Sequence, residues 1–191
     1  MTESYDVRRT ERLLLRRWTD ADRPAFAAMN ADPEVMRHLP AVLDRTASDG
    51  LLDALEERWG AQGFGLWALE RLDQGGLLGW TGLNPMPPGT PGAGDQEVGW
   101  RLVRSAWGHG YATEAAYEAL RVADELGLPR VWSMCTLANV RSQAVMRRIG
   151  LVEHSRFEHP RLEPGHPLRA HVAYVTPRAG SGVRQFRQRA G

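Results

Sequence analysis

One stretch of the sequence, RSAWGHGYATEAAYEAL at residues 104–120, constrains the fold of this chain more than any other. It follows a strand-like segment at residues 97–103, and it places two glycines one residue apart directly before a run of strong helix formers. A strand that turns through glycine and becomes a helix leaves several backbone N–H groups without intrahelical partners. Together with the positive end of the helix dipole, these groups form a site for an anion. The stretch therefore predicts a pyrophosphate site, with the shaping of a tight turn as the alternative explanation of the glycines.

Residue types that the chain lacks narrow the choice of phosphate ligand. No lysine occurs among its 191 residues, so every strongly basic side chain is an arginine. This absence excludes the lysine of a phosphate-binding P-loop and a lysine Schiff base. A dinucleotide-binding fingerprint would place a third glycine at position 113, where Thr113 stands. The two common glycine-rich nucleotide motifs therefore do not fit this loop.

Composition sets the broad class of the protein. With 191 residues, 42% of them hydrophobic, the chain can form one α/β domain, which we place at residues 1–177, followed by a basic and flexible tail at residues 178–191. The lone Cys135 permits no internal disulfide, and the histidines show no metal-ligand spacing, so we expect no metal. A formal net charge of +1 argues against nucleic acid as the main partner. No apolar run approaches the ~20 residues of a membrane span, and we expect a cytoplasmic protein.

The pattern of apolar and polar residues predicts seven strands separated by helices. The predicted strands are residues 11–18, 64–72, 77–84, 97–103, 130–136, 151–157 and 168–175. The fifth of them is short and nearly all apolar, which is typical of a central parallel strand. The proline- and glycine-rich residues 85–96 are predicted to form a mobile loop inside the domain.

The segment WGHGYATEA resembles, nearly word for word, motif A of the GNAT superfamily of acetyl-CoA-dependent N-acetyltransferases. The similarity continues from TERLLLRRWTDADRPAFAAMNADPEVMRHLP through EVGWRL and NVRSQAVMRRIGLVE to RAHVAYV, and it is greatest to the branch of ribosomal-protein alanine and serine N-acetyltransferases. The resemblance implies an α/β (α+β) GNAT fold with a single, mostly antiparallel seven-stranded sheet flanked by helices. It also implies that the sheet is splayed between strands 4 and 5, where acetyl-CoA binds as cosubstrate, and that a homodimer is a common assembly.

The resemblance also implies a set of cofactor-binding residues. The backbone of Leu102 and Val103 would contact the pantetheine arm, and the residues around the two glycines would hold the pyrophosphate. The residues expected to hold the pyrophosphate are Trp107, Gly108, His109, Gly110, Tyr111, Ala112 and Thr113. The presence of His109 is equally well explained by a solvated surface side chain, and that of Thr113 by the preference for threonine at the start of a helix. Asn139 would contact the cofactor and cap the next helix, and the Ser142 hydroxyl could reach the cofactor.

Two catalytic residues are implied by the same resemblance. Glu97 matches the glutamate that this branch presents to the amine as general base, directly or through water, although a solvated carboxylate at a strand end is the alternative. Many superfamily members carry a tyrosine acid four residues before the glycine that ends the next helix, and Met146 stands there in this chain. The resemblance then implies that Ser142 takes the place of this tyrosine, as a weak hydrogen-bond donor to the departing thiolate. Cys135 lies in an apolar run and is predicted to pack rather than to act as a nucleophile.

The predicted function is transfer of an acetyl group from acetyl-CoA to a primary amine by direct attack, with a protein N-terminal α-amine as one candidate acceptor. Such an amine has a pKa of about 7.7–8.0 against roughly 10.4 for lysine, and is easier to deprotonate. Three alternatives stay open. They are acetylation of a small-molecule amine (an antibiotic, a polyamine or an amino-acid derivative), a non-catalytic acyl-CoA-binding module, and an interaction protein whose basic tail binds nucleic acid or the ribosome.

Overall fold

The computed structural model describes residues 5–177, which form eight strands in one open sheet with helices on both faces. The predicted tail at residues 178–191 lies outside the described residues. The sheet order is β1-β2-β3-β4-β5-β6-β8-β7, and every neighbouring pair is antiparallel except β5 and β6. The strands are β1 Val7–Arg9, β2 Leu13–Arg16, β3 Leu66–Arg71, β4 Leu77–Pro85, β5 Gln96–Leu102, β6 Val131–Thr136, β7 Val152–Glu158 and β8 Ala170–Val175.

The expectation of seven strands is wrong by one, and the reason is local. The predicted first strand corresponds to β2, and the added strand β1 pairs with it antiparallel, so that Val7 lies opposite Arg16. The three residues of β1 are exposed or only partly buried, and two of them are arginines. Such a short edge strand has no apolar alternation by which the sequence could reveal it.

Within residues 5–177, five α-helices lie on the two faces of the sheet. They are α1 Arg23–Ala31, α2 Pro33–Met36, α3 Arg45–Gln62, α4 Tyr111–Glu125 and α5 Val140–Arg148. Successive strand residues point to opposite faces, and the two apolar clusters divide in this way: Leu69 belongs to the cluster that includes α4, whereas Ala68 packs with side chains of α1 and α3. None of the helices in the described part of the chain is long and apolar enough to cross a membrane.

The sheet splays between β5 and β6, the fourth and fifth of the predicted strands, as expected. The two strands pair in parallel only at Gln96 with Val131 and at Glu97 with Trp132. Beyond Glu97 the strands part, while β5 continues to pair with β4 as far as Leu102. We call the resulting opening the β5–β6 gap; it begins beside Glu97 and extends toward the N-terminus of α4.

The predicted mobile loop at residues 85–96 is packed against the sheet. Thr90 is buried, and the indole Nε1 of Trp132 in β6 donates a hydrogen bond to Oδ2 of Asp95 at 2.8 Å. The segment between β4 and β5 thus covers the end at which β5 and β6 remain paired.

Candidate active site

The glycine loop, which comprises residues 107–110, opens the first turn of α4 to solvent. Gly108 and Gly110 have φ angles of 82° and 83°, in the left-handed region that favours glycine. Gly110 is the N-cap of α4 and supplies no side-chain acceptor to the helix. The N–H groups of the first turn, at residues 111–113, therefore lack a side-chain cap, which leaves them available to an anion.

Arg12, for which no sequence pattern predicted a role, holds the glycine loop in place. Its Nη1 donates to the backbone oxygen of His109 at 3.0 Å, and its Nε donates to Oε2 of Glu114 at 2.7 Å. The guanidinium also lies over the ring of Tyr111, with 4.8 Å from Cζ to the ring centroid, and the ring of His109 stacks on Tyr111 at 5.6 Å. Arg12 lies more than 90 residues away along the chain, and no local pattern connects it with the loop.

The backbone of β5 presents free groups to the β5–β6 gap at Leu102, one of the two expected positions, but not at Val103. The N–H of Val103 donates to the carbonyl of Leu78 at 2.9 Å, and the carbonyl of Val103 accepts from Ala106 at 3.0 Å, so both backbone groups of Val103 are already used. Because hydrogen-bonding direction alternates along a strand, Leu102 and Trp100 direct their backbone groups away from β4 and toward the gap.

Trp107 has a structural role in the glycine loop. Its Nε1 donates to the carbonyl of Leu102 at 2.9 Å, which fixes the loop against the end of β5 and leaves the N–H of Leu102 free of this contact. The guanidinium of Arg141, in the first turn of α5, lies 5.1 Å from the centroid of the Trp107 ring. The contact brings the start of α5, which follows β6, to the glycine loop, which follows β5, at the open end of the gap.

Glu97 lies at the inner end of the β5–β6 gap, on the sheet face covered by α1 and α3. Nδ2 of Asn84, its partner on β4, donates to Oε1 of Glu97 at 3.5 Å, and Oδ1 of Asn84 accepts a hydrogen bond from Arg58 of α3. Burial raises the pKa of Glu97 to about 7, and the hydrogen bond from Asn84 partly opposes this rise. A carboxylate with this pKa is able to accept a proton near neutral pH, as a general base requires.

The first turn of α5 follows β6, the strand on the other side of the gap from β5. Oδ1 of Asn139 accepts from the backbone N–H of Ser142 at 3.1 Å, so the side-chain oxygen of Asn139 is used as the helix N-cap. The Ser142 side chain is partly buried, and no hydrogen bond joins it to Glu97 among residues 5–177. Met146, at the position of the family tyrosine, is 1% exposed and belongs to the core.

Cys135 and two histidines on the β7–β8 side of the sheet are less suited than Glu97 to a catalytic role. Burial raises the pKa of the Cys135 thiol to about 12, which leaves almost no thiolate at neutral pH and agrees with a packing role. His159 and His171 lie with ring centroids 4.8 Å apart on the β7–β8 side of the sheet, and burial lowers the pKa of both. Within residues 5–177 no group of three or more His, Cys, Asp or Glu side chains could hold a metal ion.

A gap between two parallel strands, a free strand backbone on one side of it and an uncapped helix start beside it define the acyltransferase class that the sequence resembles. Residues 12–152 match the family described as Acetyltransferase (GNAT) domain. This match covers more than half of the chain, which therefore belongs to the GNAT acetyltransferase family.

Three relatives show the extent of the similarity. FsC-acetyl coenzyme A-N(2)-transacetylase of Aspergillus fumigatus is 37% identical over 100 residues, which span 50% of this chain and only 42% of that relative. The structure of an acetyltransferase from Agrobacterium tumefaciens has a TM-score of 0.74 at 28% identity, covering 93% of this chain and 98% of the other. A ribosomal-protein-alanine N-acetyltransferase from Brucella melitensis has a TM-score of 0.66 at 20% identity, with 85% and 98% covered, and shares the fold.

Proposed function

We propose that this chain transfers the acetyl group of acetyl-CoA to a primary amine by direct attack of the amine on the thioester. The observation that carries the proposal is the place of Glu97: a carboxylate with its pKa raised to about 7 stands where the β5–β6 gap begins. The acceptor that we favour is a protein N-terminal α-amine, and a small-molecule amine is the alternative. The ribosomal-protein acetyltransferase among the structural neighbours supports the first, and the transacetylase of Aspergillus fumigatus leaves the second open.

Backbone groups account for most of the cosubstrate binding in this proposal. The residues present fit a CoA thioester. Its extended, amide-containing arm would form hydrogen bonds with the free backbone groups of Trp100 and the N–H of Leu102, and its pyrophosphate would bind at the uncapped start of α4. When bound, acetyl-CoA supplies the activated acetyl group. Among the predicted loop residues, Gly108, Gly110 and the helix positions 111–113 act through their backbone, and the side chain of Trp107 supports them.

Deprotonation of the amine is the step for which this chain supplies a side chain. An α-amine with a pKa of about 7.7–8.0 gives up its proton to a base whose pKa is about 7 at a cost of only about 1–1.5 kcal/mol. For a lysine side chain, with a pKa of roughly 10.4, the same transfer costs about 4–5 kcal/mol. The small difference between the pKa of Glu97 and that of an α-amine favours an α-amine, or another weakly basic amine, as acceptor.

Departure of the CoA thiolate requires less assistance from protein side chains than deprotonation of the amine does. A thiol with a pKa near ~8.5 is a tolerable leaving group, and the buried Met146 offers no proton. We expect Ser142→Ala to lower kcat by less than about tenfold, because it removes at most one neutral hydrogen bond. Steady-state kinetics with a saturating amine measures this effect. A loss greater than a hundredfold would make Ser142 the principal proton donor and contradict this minor role.

Asn84 sets the pH at which Glu97 becomes active. Its hydrogen bond stabilises the charged carboxylate, so Asn84→Ala is expected to raise the pKa of Glu97 and to move the acidic limb of the kcat/KM profile toward higher pH. The profile measured from pH 5 to pH 9 tests this direction. Acetyl-CoA affinity serves as the control, because Asn84 is paired with Glu97 rather than with the glycine loop. An unchanged profile would show that Asn84 does not act on the base.

The direct test of the proposed function is mass spectrometry of a mixed acceptor panel after incubation with acetyl-CoA. The panel contains N-terminal peptides, ribosomal proteins and amine metabolites, and each product is identified by the mass of one added acetyl group. Acetylation of any amine supports the proposal, and the selected acceptor separates its two versions. Binding of CoA without release of free thiol across the panel would instead support a non-catalytic acyl-CoA-binding module, for which the missing tyrosine at Met146 is the specific support.

A further inference from the structure

Arg101 lies on the same face of β5 as Glu97. The two residues are four positions apart in an extended strand, which places their side chains on one face with about 13 Å between the Cα atoms. This is the face covered by α1 and α3: Nη1 of Arg101 donates to Oδ1 of Asn30 in α1 at 2.6 Å, and Glu97 is linked through Asn84 to α3. The side chains of Glu97 and Arg101 thus lie on one face of β5, under the same pair of helices.

The charge of Arg101 has no acidic partner in the described part of the protein. Among residues 5–177 its guanidinium forms no ion pair, and its hydrogen-bond partner is the neutral amide oxygen of Asn30. Burial lowers the pKa of Arg101 to about 10, so the side chain is still charged at neutral pH. The buried Asn30 is itself held by a hydrogen bond from its Nδ2 to Oγ of the buried Ser48 at 3.2 Å. A partly desolvated cation is thus fixed in position without a countercharge, an arrangement that costs stability unless an anion binds.

Trp80 provides a second unused polar group at the same place. It lies opposite Arg101 on β4, and its ring centroid is 5.3 Å from Cζ of Arg101. The indole Nε1 is buried and has no hydrogen-bond partner among the described residues. Between Glu97 and Arg101 the strand carries Gly99, over which the Trp80 ring lies: a Cβ at Gly99 would be 3.4 Å from Cζ3 of Trp80. Two adjacent side chains, one of them charged, therefore keep unused donor N–H groups on the face of the sheet that carries Glu97.

We propose that Arg101 and Trp80 form a subsite for a carboxylate of the acceptor, so that the preferred substrate is an amine that carries a carboxylate several bonds away. The planar guanidinium suits a carboxylate, since Asn30 occupies Nη1 and the remaining N–H groups of the fork are free to donate. The indole N–H of Trp80 adds a neutral donor to the same group. This inference rests on the proposed function for the amine end of the substrate, but the subsite is defined by residues that play no part in binding CoA.

The distance between Glu97 and Arg101 determines which class of acceptor could contact both residues. With about 13 Å between the two Cα atoms and both side chains extending from the same face, the amine and the carboxylate are separated by roughly 7–13 Å. A short peptide, with its α-amine at one end and its carboxylate at the other, meets this requirement, and so does a protein N-terminus with an acidic side chain among its first residues. An ω-aminoalkanoate of suitable length meets the length requirement and serves as a simpler probe. A simple alkylamine or a polyamine meets it only at the amine end.

The experiment compares ω-aminoalkanoates of four to ten carbons with the corresponding alkylamines. Calorimetric binding and kcat/KM with acetyl-CoA are both measured, for the wild-type protein and for Arg101→Gln, Trp80→Phe and the control Arg45→Gln. Arg45 is an exposed arginine of α3 that pairs with Asp49. We expect a chain-length optimum at which the aminoalkanoate binds about ten to a hundred times more tightly than the alkylamine. Arg101→Gln should remove this advantage through KM with little change in kcat, Trp80→Phe should reduce it several-fold, and Arg45→Gln should leave it intact.

The outcomes separate the subsite from the proposed function. Selective binding of aminoalkanoates that is lost in Arg101→Gln supports the subsite even if no amine is acetylated. Equal use of aminoalkanoates and alkylamines by the wild-type protein overturns it, even if acetylation is efficient. If Arg101→Gln lowers the melting temperature and weakens both classes of amine alike, Arg101 only supports the packing of α1. Trp80→Phe keeps the bond from Arg101 to Asn30, and an unchanged preference in that variant would remove Trp80 from the subsite.

Discussion

Glu97→Gln is expected to lower kcat/KM by about 10²–10⁴-fold while acetyl-CoA binds with unchanged affinity. Glutamine has nearly the shape of glutamate but accepts no proton at these pH values, so the acceptor amine would lose its base at the inner end of the β5–β6 gap. Steady-state kinetics and calorimetric titration of CoA measure the two effects separately. Glu153→Gln is the matched control, because Glu153 is a strand carboxylate on β7 that pairs with Arg156. Retained activity in Glu97→Gln would remove the base assignment.

The same substitution should stabilise the protein, and the gain should depend on pH. The pKa of Glu97 is raised in the folded state, from 4.5 to about 7, so the folded protein holds this proton where the unfolded chain releases it. The favourable contribution of the protonated group is complete below pH 4.5 and is lost as the pH rises through about 7. Glu97→Gln keeps the neutral form at every pH, and we expect it to raise the free energy of unfolding at pH 8 by up to about 3 kcal/mol.

Urea denaturation at pH 5 and at pH 8 checks this expectation. The difference in stability between Glu97→Gln and the wild-type protein should be small at pH 5 and large at pH 8. An equal loss of stability at both pH values would mean that the carboxylate is solvated in the folded protein and that its pKa is not raised. A loss of activity combined with a gain of stability is expected when a functional side chain is held in an environment that disfavours its charge.

The second large effect is expected at the glycine loop, where His109→Glu should weaken CoA binding by about 10–100-fold. The side chain of His109 is exposed beside the uncapped start of α4, and a carboxylate there would occupy the anion site or repel the pyrophosphate. His109→Gln is the neutral control and should bind CoA nearly as well as the wild-type protein, because the contact to Arg12 is made by the backbone oxygen of residue 109.

Salt provides a further check on this prediction. Calorimetric titrations of CoA at low and high ionic strength should bring the affinities of His109→Glu and His109→Gln closer together, because mobile ions screen exposed charges. If the two variants bind CoA equally well at low salt, the pyrophosphate does not lie at the glycine loop. The left-handed glycines would then serve only to shape the turn.

Local patterns in the sequence predicted the parts of this fold that depend on near neighbours. The strand that leads into α4 and the glycine turn at the start of that helix occur where the spacing placed them, and the cap at Asn139 occurs where the family resemblance implied it. The short strand β1 did not follow from the sequence, because two arginines and a valine at a sheet edge carry no apolar alternation. The splay between β5 and β6 came from the family resemblance, since it depends on how many residue pairs two distant strands share.

The polar partners within the site could not be predicted, because each depends on the register between strands or on a helix far along the chain. Asn84 meets Glu97 only because β4 and β5 pair with that register, and the contact of Arg58 with Asn84 depends on where α3 crosses the sheet. Val103 was expected at the cofactor because the family resemblance implies a contact at the end of this strand, yet its position in the ladder turns its N–H toward Leu78. A shift of one residue would have reversed that direction.

Because only two residue pairs join β5 to β6, we expect the stability of this domain to respond to a ligand bound in the gap. The strands on either side of the gap share little backbone bonding of their own, and a molecule that bridges them adds to the stability of the folded state by mass action. At a hundred times the dissociation constant this contribution is about 2.7 kcal/mol, a sizeable fraction of what holds a domain folded. On the proposed function, thermal or urea denaturation with saturating acetyl-CoA would show this gain as a higher free energy of unfolding than that of the protein alone.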